Sequence, residues 1–159
     1  QGIQPVIGFN YGAKKYNRVK KTYLLALATA TFLSLIAFAC FQLFPRQIIR
    51  VFGEGSVLYY QFSERYFRIY MFFTLINGIQ PVTANFFNSI GKSQLGIFMS
   101  LTRQILFLLP LIVIFPIFMG IDGVMYAGPI ADVAAAVVCG VFTIKELREL
   151  SRLNSQQTV

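Results

Sequence analysis

Along most of this chain the apolar positions follow neither a one-sided helical stripe nor a strand-like alternation; they run on almost unbroken, interrupted by short clusters of charge and glycine. Helices that are apolar nearly all round belong in lipid or deep inside a bundle, and about 20 such residues span a bilayer. Four full spans are predicted, at about 22–44, 69–90, 95–118 and 124–144, after a partial one that ends near Tyr11. Pro45 stops the first of them. Just beyond it, Ile48, Ile49, Val51 and Phe52 are interleaved with Arg46, Gln47, Arg50 and Glu54 ahead of Gly53 and Gly55, which predicts a short helix lying at the membrane interface. Lys145 to Leu153, with leucines at 147, 150 and 153, extends the last helix out of the membrane, and residues 154–159 are expected to be a disordered cytosolic tail. The predicted fold class is all-α, a polytopic transmembrane helical bundle.

A pentapeptide occurs twice in this pattern. Gly-Ile-Gln-Pro-Val fills Gly2 to Val6 and again Gly78 to Val82, and the two copies lead into basic turns at Gly12-Ala13-Lys14-Lys15 and Gly91-Lys92. The repeat implies a duplicated membrane unit. Lys14, Lys15, Arg18, Lys20 and Lys21 form one dense basic loop, and Lys145, Arg148 and Arg152 a second cluster at the tail. The positive-inside bias puts both clusters in the cytosol, which an even number of crossings allows. Arg46, Arg50, Arg65 and Arg68 fall on the outer side against that bias; Arg65 and Arg68 are expected to snorkel to headgroups. Two crossings separate the copies of the repeat, so both run the same way, as a parallel and not an inverted repeat.

Composition narrows the function. Hydrophobic residues make up 56% of the 159 and charged residues 13%, where a soluble domain carries about 25% charged. So few charges would not cover a soluble surface, and the lipid bilayer is the implied environment. The net charge of +8 does not indicate nucleic acid, because the basic residues gather between apolar runs and make no face interleaved with stacking aromatics. Without any histidine, and with Cys40 and Cys139 far apart inside apolar runs, no metal or Cys/His nucleophile set can be assembled. A phosphate-binding glycine loop and a Gly-x-Ser-x-Gly elbow are also missing from the sequence, so ATP-driven pumping and hydrolytic catalysis lack residues here. The chain reads as no enzyme.

Candidate chemistry then rests on few side chains. Pro81 removes a hydrogen bond from the carbonyl of Asn77, which predicts a kink, with Pro5 marking the equivalent kink in the first copy. Asn77, Gln80, Ala84 and Asn88 fall within about one third of the helix circumference, a polar stripe that serves either as interhelical glue or as the lining of a substrate path. Asp132 is the one acid, and Arg103 the one base, within the predicted cores of the spans. An intramembrane charge costs at least about 2.5 kcal/mol at a helix centre, so it has a partner or a function. Each lies about 12 Å deep from the opposite end of neighbouring antiparallel helices, which in a core of about 30 Å leaves them about 6 Å apart in height. An ion pair is predicted, either locking the two helices together or binding and releasing a proton or cation at Asp132.

Three strings together resemble the multidrug and toxin extrusion (MATE) family, in particular its MepA-like branch: Gly2 to Lys14 with the basic loop after it, Ala84-Asn85-Phe86-Phe87-Asn88-Ser89-Ile90-Gly91-Lys92, and Gly128-Pro129-Ile130-Ala131-Asp132. The resemblance covers nearly the whole chain. It implies a two-lobe, twelve-helix bundle in the bacterial inner (cytoplasmic) membrane, exporting cationic amphipathic drugs by alternating access in exchange for Na⁺ or H⁺, with no other cofactor. Residues 1–153 would then be most of the C-terminal six-helix lobe, from the end of the eighth helix through the twelfth, with the N-terminal lobe as a missing partner. The helix that would be tenth holds Asn77, Asn85 and Asn88 but no core acid. That departure moves the coupling residues to Asp132 or to the other lobe. The alternatives are a lipid-linked substrate flippase or polysaccharide exporter of the related superfamily, or a helical assembly module that transports nothing.

Overall fold

A computed structural model describes residues 1–70 and 74–156. Its helices are α1 Gln4–Gly12, α2 Tyr16–Leu43, α3 Pro45–Phe52, α4 Val57–Tyr70, α5 Thr74–Asn77, α6 Ile79–Ser89, α7 Ser93–Leu101, α8 Leu109–Met119 and α9 Ile121–Gln156, with a π-helical segment at Thr102–Leu108 joining α7 to α8. No strand occurs among the described residues. Three helical rods there are long and apolar enough to cross a membrane: Tyr16–Leu43, Ser93–Met119 and Ile121–Gln156.

The fourth expected span, 69–90, is divided. The interruption among the described residues is at Gly78, between α5 and α6; residues 71–73 lie outside the described residues. The break falls three residues before Pro81, where the carbonyl of Asn77 has lost its donor. Gly78 is also where this length of helix meets α2, since a Cβ there would sit 3.2 Å from Ser34 Oγ and 3.4 Å from Ala30 Cβ. Pro5, expected at a kink, instead occupies the first turn of α1, where a missing N–H has no helical partner to lose.

Both copies of the repeat start a helix and end in the same turn. Lys15 N donates to Asn10 O, Lys14 N to Tyr11 O and Ala13 N to Phe9 O; Lys92 N donates to Phe87 O, Gly91 N to Asn88 O and Ile90 N to Phe86 O. Each turn has one residue at positive φ, Lys14 at 56° and Gly91 at 83°. The copies also pack on each other: Gln4 Nε2 donates to Asn85 Oδ1 at 2.7 Å, and a Cβ on Gly8 would lie 3.4 Å from the carbonyl of Ser89. Contacts that advance together along both helices make them parallel, as the repeat requires.

The buried core gathers at this end. Ile7, Val19, Tyr23, Phe86, Phe87 and Met99 are fully buried in it, together with Cys139 and Leu150 of α9. Tyr23 shares a buried hydrogen bond with Thr83 at 3.0 Å and packs its ring 4.5 Å from that of Phe86. Elsewhere Phe32, Leu33, Val113 and Ile117 stand exposed, as lipid or helix-facing surface requires. The short helix expected after Pro45 appears as α3; it ends at Gly53, whose φ of 155° suits glycine alone, and Arg46 Nε pairs with Glu64 of α4 at 2.6 Å.

The tail differs from expectation. Residues 154–156 complete α9 instead of being disordered, and 157–159 lie outside the described residues. Leu150 is buried in the core, Lys20 Nζ reaches Ser151 Oγ at 3.3 Å, and Ser155 Oγ donates back to Ser151 O, so the last turns are held at their base.

Lys92 locks the second turn to α9. Its ammonium donates to both oxygens of the buried Glu146 at 2.8 and 2.7 Å, with Glu149 at 3.7 Å. Burial works to lower the Lys92 pKa, but the Glu146 hydrogen bond and charge, with Glu149 behind it, raise it above the ordinary 10.5. A cation whose pKa rises on folding stabilises fully below its unfolded value and loses that contribution as pH climbs through the folded one. Thermal unfolding of the full-length protein is therefore expected to fall faster above pH 10.5 than that of Lys92→Met, with the two pH slopes matching at neutral pH.

Candidate functional site

The site grows out of Pro110. A proline has no N–H, and its ring collides with the carbonyl four residues back, here that of Leu106. The chain answers with a wider register before it: Leu109 N–H reaches Gln104 O, five residues back, and Thr102–Leu108 is π-helical. Single π turns of this sort concentrate at functional positions in helices. Arg103 sits on this widened turn.

From there its guanidinium meets α9. Arg103 Nε donates to Asp132 Oδ1, so the ion pair expected from depth alone is present. Asp132 is 8% exposed and Arg103 21%. Asp132 lies three residues beyond Pro129 in a buried stretch that includes Ala127, Gly128 and Ala131, where small side chains let α9 approach its neighbours.

Gln80 closes the arrangement from α6. Its Nε2 donates to Met99 O at 2.6 Å and to Ser100 O at 3.3 Å, the carbonyls of the last turn before the π segment. Asn77, Gln80, Pro81, Ser100, Arg103 and Gln104 line one polar cleft of about 260 Å³ between the broken helix and the π turn. Its charged wall is Arg103, neutralised from behind by Asp132.

Of the residues expected to form a pathway, Asn77, Gln80 and Arg103 share this cleft, and Asp132 joins through Arg103. Asn88 does not. It packs over Gly96 of α7, where an added Cβ would collide with its Oδ1, and belongs to the α6–α7 contact. The cleft adds Ser100 and Gln104. Their i, i+4 spacing in an apolar run was the available signal, but the π register between them and the facing helix is what turns them to the cleft. No group of three or more potential metal-ligating side chains occurs among the described residues.

The fold has counterparts among solved proteins. The MatE family profile matches residues 1–114. The MATE multidrug transporter DinF-BH, solved with a bound ligand, is 37% identical, with 90% of this chain and 32% of that chain covered and a TM-score of 0.84. An outward-facing multidrug resistance MATE family transporter of the MOP superfamily matches at 21% identity, 94% and 34% coverage and a TM-score of 0.85. The MATE transporter VcmN of Vibrio cholerae, in its bent form, matches at 20% identity, 95% and 34% coverage and a TM-score of 0.82. The last two likenesses bear on fold alone. The chain spans about a third of the length of these solved proteins. No curated protein sequence matches it.

Proposed function

Because the chain belongs to the multidrug and toxin extrusion family, whose members are multi-pass membrane transporters and not enzymes, we propose that it is most of the C-terminal lobe of a secondary antiporter. The substrates are cationic amphipathic compounds, exported in exchange for Na⁺ or H⁺ by alternating access against an N-terminal lobe. The basic Lys14–Lys21 loop and the end of α9 face the cytosol of a bacterial inner membrane, in keeping with their charge.

The observation that carries the coupling is the Arg103–Asp132 pair beside a polar cleft in an otherwise apolar bundle. Exchange requires that ion and substrate exclude each other. With Asp132 ionised, the charge of Arg103 is balanced and a cation can approach the cleft. A proton or Na⁺ on Asp132 leaves the guanidinium uncompensated at the wall. Two unit charges about 8 Å apart repel by about 2 kcal/mol at an effective dielectric near 20, roughly a thirtyfold loss of cation occupancy. Binding of the coupling ion thus expels the substrate.

Full-length protein reconstituted in vesicles tests this. An imposed Na⁺ or proton gradient is expected to drive a cationic dye against its own gradient, and collapsing that gradient to stop it. Dye flux indifferent to both gradients would sink the antiport reading.

A further inference from the structure

We propose that the ends of α2 and α9 nearest the repeat turns form a binding surface for anionic phospholipid. Lys14, Lys15, Arg18, Lys20 and Lys21 stand on or before α2, and Lys145, Arg148 and Arg152 on one face of α9 at i, i+3, i+7. The two groups meet, because Lys20 Nζ bonds Ser151 Oγ across the helix–helix seam. Apart from Lys20, all of these cations are exposed.

Their charge has no internal counterpart. Among the described residues the carboxylates at this end are Glu146 and Glu149, and both are engaged by Lys92. None of the eight cations takes part in an ion pair there. The distribution along each helix then selects the occupant. One turn deeper than Lys21 on α2 stand exposed Leu24 and Leu25; one turn deeper than Lys145 and Arg148 on α9 stand exposed Val141 and Ile144. Cation followed by apolar surface on the same face matches a molecule with an anionic head and an acyl chain. These apolar positions fall within the spans expected at 22–44 and 124–144, so acyl chains cover them and the group that meets the cations above is a lipid headgroup. Basic residues at the membrane boundary each contribute about 1 kcal/mol toward an anionic surface, so the group acts together.

The test uses the full-length protein in phosphatidylcholine bilayers and compares spin-labelled phosphatidylglycerol with spin-labelled phosphatidylcholine by electron paramagnetic resonance. The expected result is a several-fold preference for the anionic label that falls by up to about fivefold for each cation removed in the series Lys21→Gln, Arg148→Gln and Arg152→Gln. All three sites are exposed, so folding is retained, which a matched melting temperature verifies. Arg46→Gln with Arg50→Gln, at the far end of α2, is expected to leave the preference unchanged. Equal association of both labels, or a preference that the triple variant keeps, overturns the proposal. Displacement of the anionic label by inorganic phosphate at constant ionic strength would reassign the surface to free anions and overturn it as well.

Discussion

Asp132→Asn in the full-length protein is expected to lower gradient-driven export of a cationic dye by roughly thirtyfold, the factor for two unit charges about 8 Å apart at an effective dielectric near 20. The asparagine is permanently neutral, so Arg103 stays exposed to the cleft as though the coupling ion never left. Because Arg103 lines the cleft and is not sealed in the core, its side chain has a polar place to turn. Removing only one partner of a fully buried pair costs about 3–5 kcal/mol, whereas replacing both with apolar groups is often neutral. That asymmetry separates the two roles of the pair. Arg103→Met with Asp132→Leu is expected to keep the melting temperature of the parent and to lose ion-driven export. A double variant that is stable and still pumps would show that the pair only locks α9 to the π turn.

Gly123→Val is expected to destabilise the protein by about 3 kcal/mol, at or beyond the upper end of overpacking effects, and to reduce the folded yield in membranes. The α8–α9 reversal takes a single residue, Gly120 at φ 63°, and brings the first turn of α9 against the last turns of α8. A Cβ at Gly123 would sit 2.5 Å from the Phe115 carbonyl carbon and oxygen and 2.9 Å from Pro116 N. All three are backbone atoms, and the adjacent proline stiffens them, so no side chain can rotate aside. Gly140→Ala on the same helix meets nothing within 4 Å and is expected to leave stability within about 0.5 kcal/mol of the parent. Thermal denaturation of the two variants side by side decides the matter; equal melting temperatures would refute the steric account.

The sequence made the spans and the ion pair legible because both depend on long-range averages. Apolar runs announce themselves, and the position of Arg103 and Asp132 along their spans put them within about 6 Å in height without any knowledge of their rotation. The proline kink was also readable, although Pro81 displaced its effect to Gly78, where the unpartnered carbonyl and the close approach of α2 coincide. What escaped were features that arise between elements. The π turn follows from Pro110, yet five other prolines, Pro5, Pro45, Pro81, Pro116 and Pro129, sit within helices with no such segment before them, so the residue alone does not announce it. Asn88 shared a helical face with Gln80, but two turns along α6 that face meets Gly96 instead of the cleft. The end of α9 meets Lys20 through Ser151, a contact between residues more than a hundred apart in sequence.

The matched turns carry one more consequence. Eight residues separate Val6 from Lys15, but nine separate Val82 from Lys92, so the pentapeptides align at one offset and the hydrogen-bonded turns at the next. One added residue advances a helix by about 100°. The second copy has therefore slipped in phase like a screw given a part turn, and identical letters no longer face identical neighbours. Gln4 spends its amide on Asn85 of the sister copy, while Gln80, its duplicate, reaches Met99 and Ser100 and walls the cleft. The two copies thus share their letters and their closing turn, yet Gln4 serves the contact between the copies and Gln80 the cleft.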